Sequence, residues 1–257
     1  MIKLVASDID GTLLKYGENE LNPELFDIIL QLKKQGIRFI AASGRQYASL
    51  RRLFEPIKDE ISYITENGSL CIHDGEIISR GTIDRELGIR IFEEIRNREH
   101  CDAVLSCEDS CYIETKDEEF LRHLEEDMGN KVTRVDDLST VTSPFLKIAI
   151  FDNVTPEETF VHFREEFKSD IKVVTSGNEW VDFISPEANK GTALQVFLDY
   201  FHLIPEEAMA FGDQHNDIEM LHLAGEGYAM SNAAPGVASH STYVTDSVIE
   251  TLKELLG

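Results

Sequence analysis

Short apolar runs, each ending in a polar turn and followed by a segment of helical spacing, recur at both ends of this 257-residue chain. Ile2-Lys3-Leu4-Val5-Ala6 leads into Ser7-Asp8-Ile9-Asp10-Gly11-Thr12, and Ile37-Arg38-Phe39-Ile40-Ala41-Ala42 leads into Ser43-Gly44-Arg45. Between them, Asn22-Pro23-Glu24 reads as a helix start, an N-cap residue with proline at the first helical position. Leu25, Ile28, Ile29 and Leu32 then repeat at helical spacing until Gly36, and a second amphipathic run passes through Leu50, Leu53 and Phe54. The rhythm returns late in the chain. Gly191 to Phe201 carries Leu194, Phe197, Leu198 and Phe201, Ala208-Met209-Ala210-Phe211 is strand-like, and Asn216 to Leu223 is a further helix. Such alternation restricts the chain to an α/β fold with a parallel sheet, whose ligands collect outside the carboxyl ends of the strands.

The middle of the chain has another texture. From Ile83 to Pro186, acidic helical runs such as that carrying Asp117, Glu118, Glu119, Glu125 and Glu126 alternate with strand-like pieces such as Phe145 to Phe151. This segment, 83–186, is expected to be an inserted domain, with 1–82 and 187–257 forming the host. The balance of 24 Lys plus Arg against 48 Asp plus Glu gives a net charge of −24, which disfavours nucleic acid and anionic membranes as partners. The apolar stretches are too short for a membrane span, and Met1 leads straight into a strand pattern, so a cytoplasmic protein is expected. Cys71, Cys101, Cys107 and Cys111 show no paired metal spacing and read as reduced thiols in or near a core.

Four stations carry possible chemistry. In an extended strand, positions i and i+2 point the same way, so Asp8 and Asp10 are expected to converge on one small volume at the sheet edge. Two close carboxylates there require a cation or a proton, and the pattern suits a metal-assisted carboxylate nucleophile, Asp8, with Asp10 as general acid and base. Ser43 and Gly44 offer a hydroxyl and backbone N–H groups to a phosphate oxygen, although alone a serine after a strand is more often a structural cap. Lys190 in Asn189-Lys190-Gly191 could neutralise both a phosphate and crowded carboxylates, but a lone loop lysine is usually solvated. In Phe211-Gly212-Asp213-Gln214-His215-Asn216-Asp217 another strand ends in a carboxylate, and hard oxygen donors from separate strands suit Mg²⁺. Asp217 could equally be a favourable charge in a helix's first turn.

With these residues in place, the sequence resembles the haloacid dehalogenase (HAD) superfamily of phosphatases, in its Cof-type branch with a large α/β (type IIB) cap. The matching strings are DIDGTLL from Asp8, ASGR from Ala42, ENG from Glu66, NKG from Asn189, GDQHNDIEML from Gly212 and AMSNA from Ala229. The resemblance implies a Rossmann-like, HAD-like core with an inserted α/β cap that closes over substrate. It implies that Asp8 forms an aspartyl-phosphate while Asp10 protonates the leaving oxygen and then activates water. It further implies Mg²⁺ held by Asp8, Asp213 and the backbone carbonyl of Asp10, with Asp217 and Asn216 in support. Ile9 through its amide, Ser43, Gly44 and Lys190, with Asn216 beside them, would hold the phosphate. The expected activity is hydrolysis of small phosphorylated metabolites such as sugar phosphates. Phosphoryl transfer to a second hydroxyl and non-catalytic sensing of a phosphometabolite are the alternatives, the latter disfavoured by Asp10. Specificity is expected within 83–186, where Asn178 and Trp180 are the only positions singled out, and an aromatic there is more often core.

Overall fold

A computed structural model describes residues 1–15, 17–176 and 179–257. The chain divides into two compact units, one of Met1–Arg45, Leu50–Ser79 and Asn189–Gly257, the other of Gln46–Ser49 and Arg80–Ala188. Up to Arg80 the chain forms β1 (Leu4–Ser7), α1 (Pro23–Lys34), β2 (Arg38–Ala42), α2 (Tyr47–Leu53), β3 (Ser62–Thr65), β4 (Leu70–His73) and β5 (Glu76–Arg80), all in the first unit but for Tyr47–Ser49 and Arg80. The second contains α3 (Arg85–Arg96), β6 (Asp102–Ser106), β7 (Cys111–Ile113), α4 (Glu118–Arg122), β8 (Val132–Arg134), β9 (Lys147–Phe151), α5 (Pro156–Glu166), β10 (Lys172–Ser176) and β11 (Trp180–Ile184). The chain then re-enters the first unit with α6 (Lys190–Phe201), β12 (Ala208–Gly212), α7 (Ile218–Leu223), β13 (Glu226–Met230), β14 (Tyr243–Thr245) and α8 (Val248–Leu256).

The first unit's sheet has the order β14-β13-β12-β1-β2-β3-β4-β5. Pairing is parallel from β14 through β3, and β4 runs antiparallel to β3. β1 therefore lies between β12 and β2, with Ser7 in register with Phe211 on one side and Ala41 on the other. This order brings the ends of β1, β2 and β12 together, although their sequences are far apart. Helix α1 starts as its sequence dictates: the Asn22 side chain accepts from the Glu24 N–H at 3.0 Å, and Leu25, Ile28, Ile29 and Leu32 are buried. Each such aliphatic contributes roughly 1.5–3 kcal/mol through burial. On one face of the sheet, Leu194, Phe197 and Leu198 of α6 and Met220 and Leu221 of α7 pack with Leu4, Ala6, Ile40 and Ile64.

The second unit holds a sheet of order β10-β11-β9-β6-β7-β8, antiparallel except between β7 and β8. Ile91, Phe92 and Ile95 of α3 and Phe163 of α5 pack with Leu105, Ile148, Val181 and Phe183. A separate cluster joins Phe120 and Leu124 to Val104, Ile113 and Ala149, and the ring of Trp180 lies 5.0 Å from that of Phe151. Trp180 is thus a packing residue, while Asn178 lies outside the described residues. The acidic run continues α4 into a π-helical turn over His123–Asp127. All four cysteines are free thiols, with Cys71, Cys107 and Cys111 buried. No described helix is long and apolar enough to cross a membrane.

Candidate active site

β1 ends at Ser7, and the chain then coils instead of continuing as a strand. The Ile9 carbonyl accepts from the N–H groups of Leu13 and Leu14 at 2.9 and 2.8 Å, and Gly11 turns the chain with φ 91°. The side chain of Asn232, beyond β13, donates to the Gly11 carbonyl at 2.9 Å and pins this loop. Strict two-residue alternation therefore ends with β1, and the two carboxylates meet different surroundings, although the charge of each acts on Arg45. Asp8 is buried and its N–H donates to the Phe211 carbonyl at 2.9 Å, whereas the Asp10 side chain is about half exposed (47%) and faces Arg45. Arg45 donates from Nε to Oδ2 and from Nη2 to Oδ1 of Asp10, at 2.9 and 2.6 Å, a bidentate fork.

Asp8 instead meets residues from the far end of the chain. Lys190 Nζ donates to Asp8 Oδ1 and to Asp217 Oδ1, both at 2.5 Å, and its side chain is 0% exposed. Lys190 thus lies against the crowded carboxylates rather than in solvent: residue 190 is the first residue of α6, with Asn189 as its N-cap accepting from Thr192 N–H at 2.8 Å. Asp217 Oδ2 accepts from the N–H groups of Asp213 and Gln214, each at 2.9 Å. These bonds tighten His215–Asp217 into a 3₁₀ turn, so α7 begins at Ile218 and not at Asn216. Asp217 is thus both a first-turn residue and a member of the site. Thr12 Oγ1 donates to Asp213 Oδ1 at 3.2 Å, and Gln214 Nε2 donates to Oδ2 at 3.2 Å, orienting that carboxylate.

One carboxylate oxygen from each of Asp8, Asp213 and Asp217 lies within 4.8 Å of the others, and all three residues are buried. Burial, and then the charge of Asp217, push the Asp8 carboxyl well above the ordinary carboxylate range despite the pull of Lys190. For Lys190, burial alone would lower the ammonium, but Asp217 and Asp8 outweigh it and raise it. Arg45 is likewise raised, burial being outweighed by Asp10. Three buried carboxylates against one ammonium leave an excess of negative charge that a single divalent cation would cancel, and their hard oxygens fit Mg²⁺.

The remaining sequence-derived residues surround this group. Ser43 Oγ accepts from Arg45 N–H at 3.1 Å, and Gly44 packs on the side chain of Asn67. Asn216 donates from Nδ2 to Asn67 Oδ1 at 3.0 Å. Sequence reasoning gave no role to Arg45 or Asn67, although both lie in quoted strings, and none to Thr12, Gln214 or Asn232. Gly68 meets the start of α6 so closely that an added Cβ would sit 2.3 Å from the Asn189 carbonyl oxygen, and its φ is 100°. Gly68→Ala is expected to cost about 3 kcal/mol or more, read as a lower urea midpoint. An unchanged midpoint would show that this junction yields easily.

A family profile for haloacid dehalogenase-like hydrolases matches residues 5–251. The chain is 30% identical over 246 residues to the 5-amino-6-(5-phospho-D-ribitylamino)uracil phosphatase of Escherichia coli K12, covering 94% of this chain and 90% of that protein. A crystal structure from Eubacterium rectale superposes with a TM-score of 0.89 at 33% identity, covering 99% of each chain. A HAD subclass IIB sugar phosphatase shares the fold, with a TM-score of 0.81 at 22% identity and 98% of each chain covered.

Proposed function

The chain belongs to the haloacid dehalogenase-like hydrolases, and from that premise we propose that it is a Mg²⁺-dependent phosphatase of small phosphorylated metabolites, working through an aspartyl-phosphate on Asp8. The observation that carries this reading is the buried group of Asp8, Asp213 and Asp217 around Lys190 at the carboxyl edge of the sheet. The E. coli relative is named for a phosphorylated ribityl compound, which supports a phosphomonoester on a small polyol or sugar as substrate. Choice among such esters is assigned to residues 83–186. Reduced thiols and the lack of a described membrane-spanning helix accord with a cytoplasmic enzyme.

Mg²⁺ would be held by Asp8, Asp213 and the Asp10 carbonyl, supported by Asp217, and when bound supplies charge neutralisation to the phosphate oxygens. Asp8 attacks phosphorus, and the bond from phosphorus to the leaving oxygen breaks as Asp10 gives that oxygen a proton. Water then attacks the same phosphorus, Asp10 takes its proton, and inorganic phosphate leaves with the Asp8 carboxylate restored. Lysine has three ammonium protons, and Lys190 gives one each to Asp8 and Asp217, so a third is available to a phosphate oxygen. The Ile9 amide, Ser43, Gly44 and Asn216 complete the phosphate cradle. Arg45 engages both oxygens of Asp10, so proton delivery requires at least one oxygen to leave the fork.

The test is a panel of phosphometabolites offered to purified protein with Mg²⁺ or with EDTA, following inorganic phosphate. Mg²⁺-dependent release is expected. Accumulation of a new phosphoester would reassign the protein as a transferase, and no turnover on any ester would sink the enzyme reading. Asp10→Asn should remain folded and respond normally to Mg²⁺ in thermal melts, yet turn over ~10²–10⁴-fold more slowly. A near-wild-type rate would remove Asp10 from the chemistry.

A further inference from the structure

The turn between β3 and β4 holds three consecutive residues in the left-handed region, Glu66 at φ 49°, Asn67 at 56° and Gly68 at 100°. Two of them are not glycine, and such backbone persists only where its surroundings determine it. Here the surroundings are the three loops of the phosphate cradle. The N–H groups of Glu66 and Asn67 donate to the carbonyls of Arg45 and Ser43, each at 3.1 Å. A Cβ on Gly44 would lie 3.0 Å from Asn67 Oδ1 and 3.2 Å from Nδ2, so the amide lies flat against that glycine. Asn216 reaches the same amide from the loop after β12, donating to Oδ1 at 3.0 Å, and Gly68 abuts Asn189 at the start of the helix that carries Lys190. Asn67 itself is buried.

We propose that Asn67 is a positioning residue of the phosphate subsite, whose side-chain amide sets the spacing between the Ser43–Gly44 loop and Asn216. The inference rests on the phosphatase reading above. Phosphoryl transfer asks the protein chiefly to aim donors at three equatorial oxygens, and here those donors come from separate loops with no shared strand. Asn216 commits one amide proton to Asn67, so its direction toward a phosphate is fixed by that bond. Asparagine suits the place because it accepts left-handed backbone better than most residues and its amide carries an acceptor beside a donor.

Asn67→Gly keeps the backbone conformation accessible and deletes only the amide. Calorimetric binding of inorganic phosphate in the presence of Mg²⁺ is measured beside KM, kcat and the melting temperature. The expected result is a roughly 10-fold rise in the Kd of phosphate and in KM, with kcat reduced less, Mg²⁺ affinity unchanged and a small shift in melting temperature. Asn216→Ala, which leaves the turn intact, should give a similar loss, and the double variant should bind phosphate no worse than either single one. Wild-type phosphate affinity in Asn67→Gly overturns the proposal, as do losses that add in the double variant. Wild-type protein that binds phosphate but hydrolyses no ester would defeat the phosphatase reading while leaving the binding cycle readable.

Discussion

Asp8→Asn abolishes turnover, by on the order of 10⁴ or more, and at the same time raises the melting temperature of the metal-free protein. The first effect follows from the proposed mechanism, because an amide cannot form the acyl-phosphate bond that splits hydrolysis into two steps. The second follows from the crowding of Asp8 beside Asp217 and Asp213, which holds its carboxyl well above the ordinary range. An amide removes one buried charge and keeps an oxygen for Lys190, whose ammonium retains Asp217. A gain of about 1–2 kcal/mol is expected, or about 2–4 °C per kcal/mol for a chain of this size. The Mg²⁺-induced rise in melting temperature should shrink in the same variant, since a donor has been lost. Measured in EDTA and in excess Mg²⁺, a variant that keeps a few per cent of activity would exclude Asp8 as nucleophile. A lower melting temperature in EDTA would mean that the attraction of Lys190 outweighs burial and repulsion together.

Lys190→Met should destabilise the fold severely. It removes the ammonium that both Asp8 and Asp217 contact, leaving buried carboxylates facing one another in a site with little water. Deleting one partner of a buried ionic group costs about 3–5 kcal/mol. Excess Mg²⁺ should recover part of this stability by supplying positive charge to the same oxygens, while turnover stays lost for want of the proposed phosphate contact. Denaturant unfolding with and without Mg²⁺ separates the two contributions. Stability equal to wild type in EDTA would mean that the carboxylates had taken up protons at little expense.

The elements at both ends of the chain were legible because their signals are local. Asn22 and Pro23 cap α1, and Leu25, Ile28, Ile29 and Leu32 face inward as their spacing requires. Asp8 and Asp213 could be placed at one edge because each follows an apolar strand in an alternating α/β pattern, and the structure groups them with Asp217. What the pattern could not give was direction. The two-residue alternation breaks where β1 stops at Ser7, so the pairing of Asp10 with Arg45 depends on a loop geometry invisible in the string. Lys190 stood out by its place before the returning helix, but its full burial was not legible, because burial of a charge is decided by partners, and these stand 182 and 27 residues away. Asn67 was equally hidden, since its importance lies in a left-handed turn that touches three distant loops.

The placement of β1 between β2 and β12 also orders events in the making of the protein. The strand that leads into Asp8 is synthesised first, but the neighbour that leads into Asp213 follows some two hundred residues later, after the whole second unit. The pairings of β6 to β11 need nothing beyond Ile184, so that sheet can close on a growing chain while β1 still lacks its partner on one side. Long-range parallel pairing is the slow part of folding such a molecule. A ribosome-bound chain therefore carries Asp8 with neither Lys190 nor Asp213 and Asp217, and the proposed chemistry comes into being only with the last third of translation.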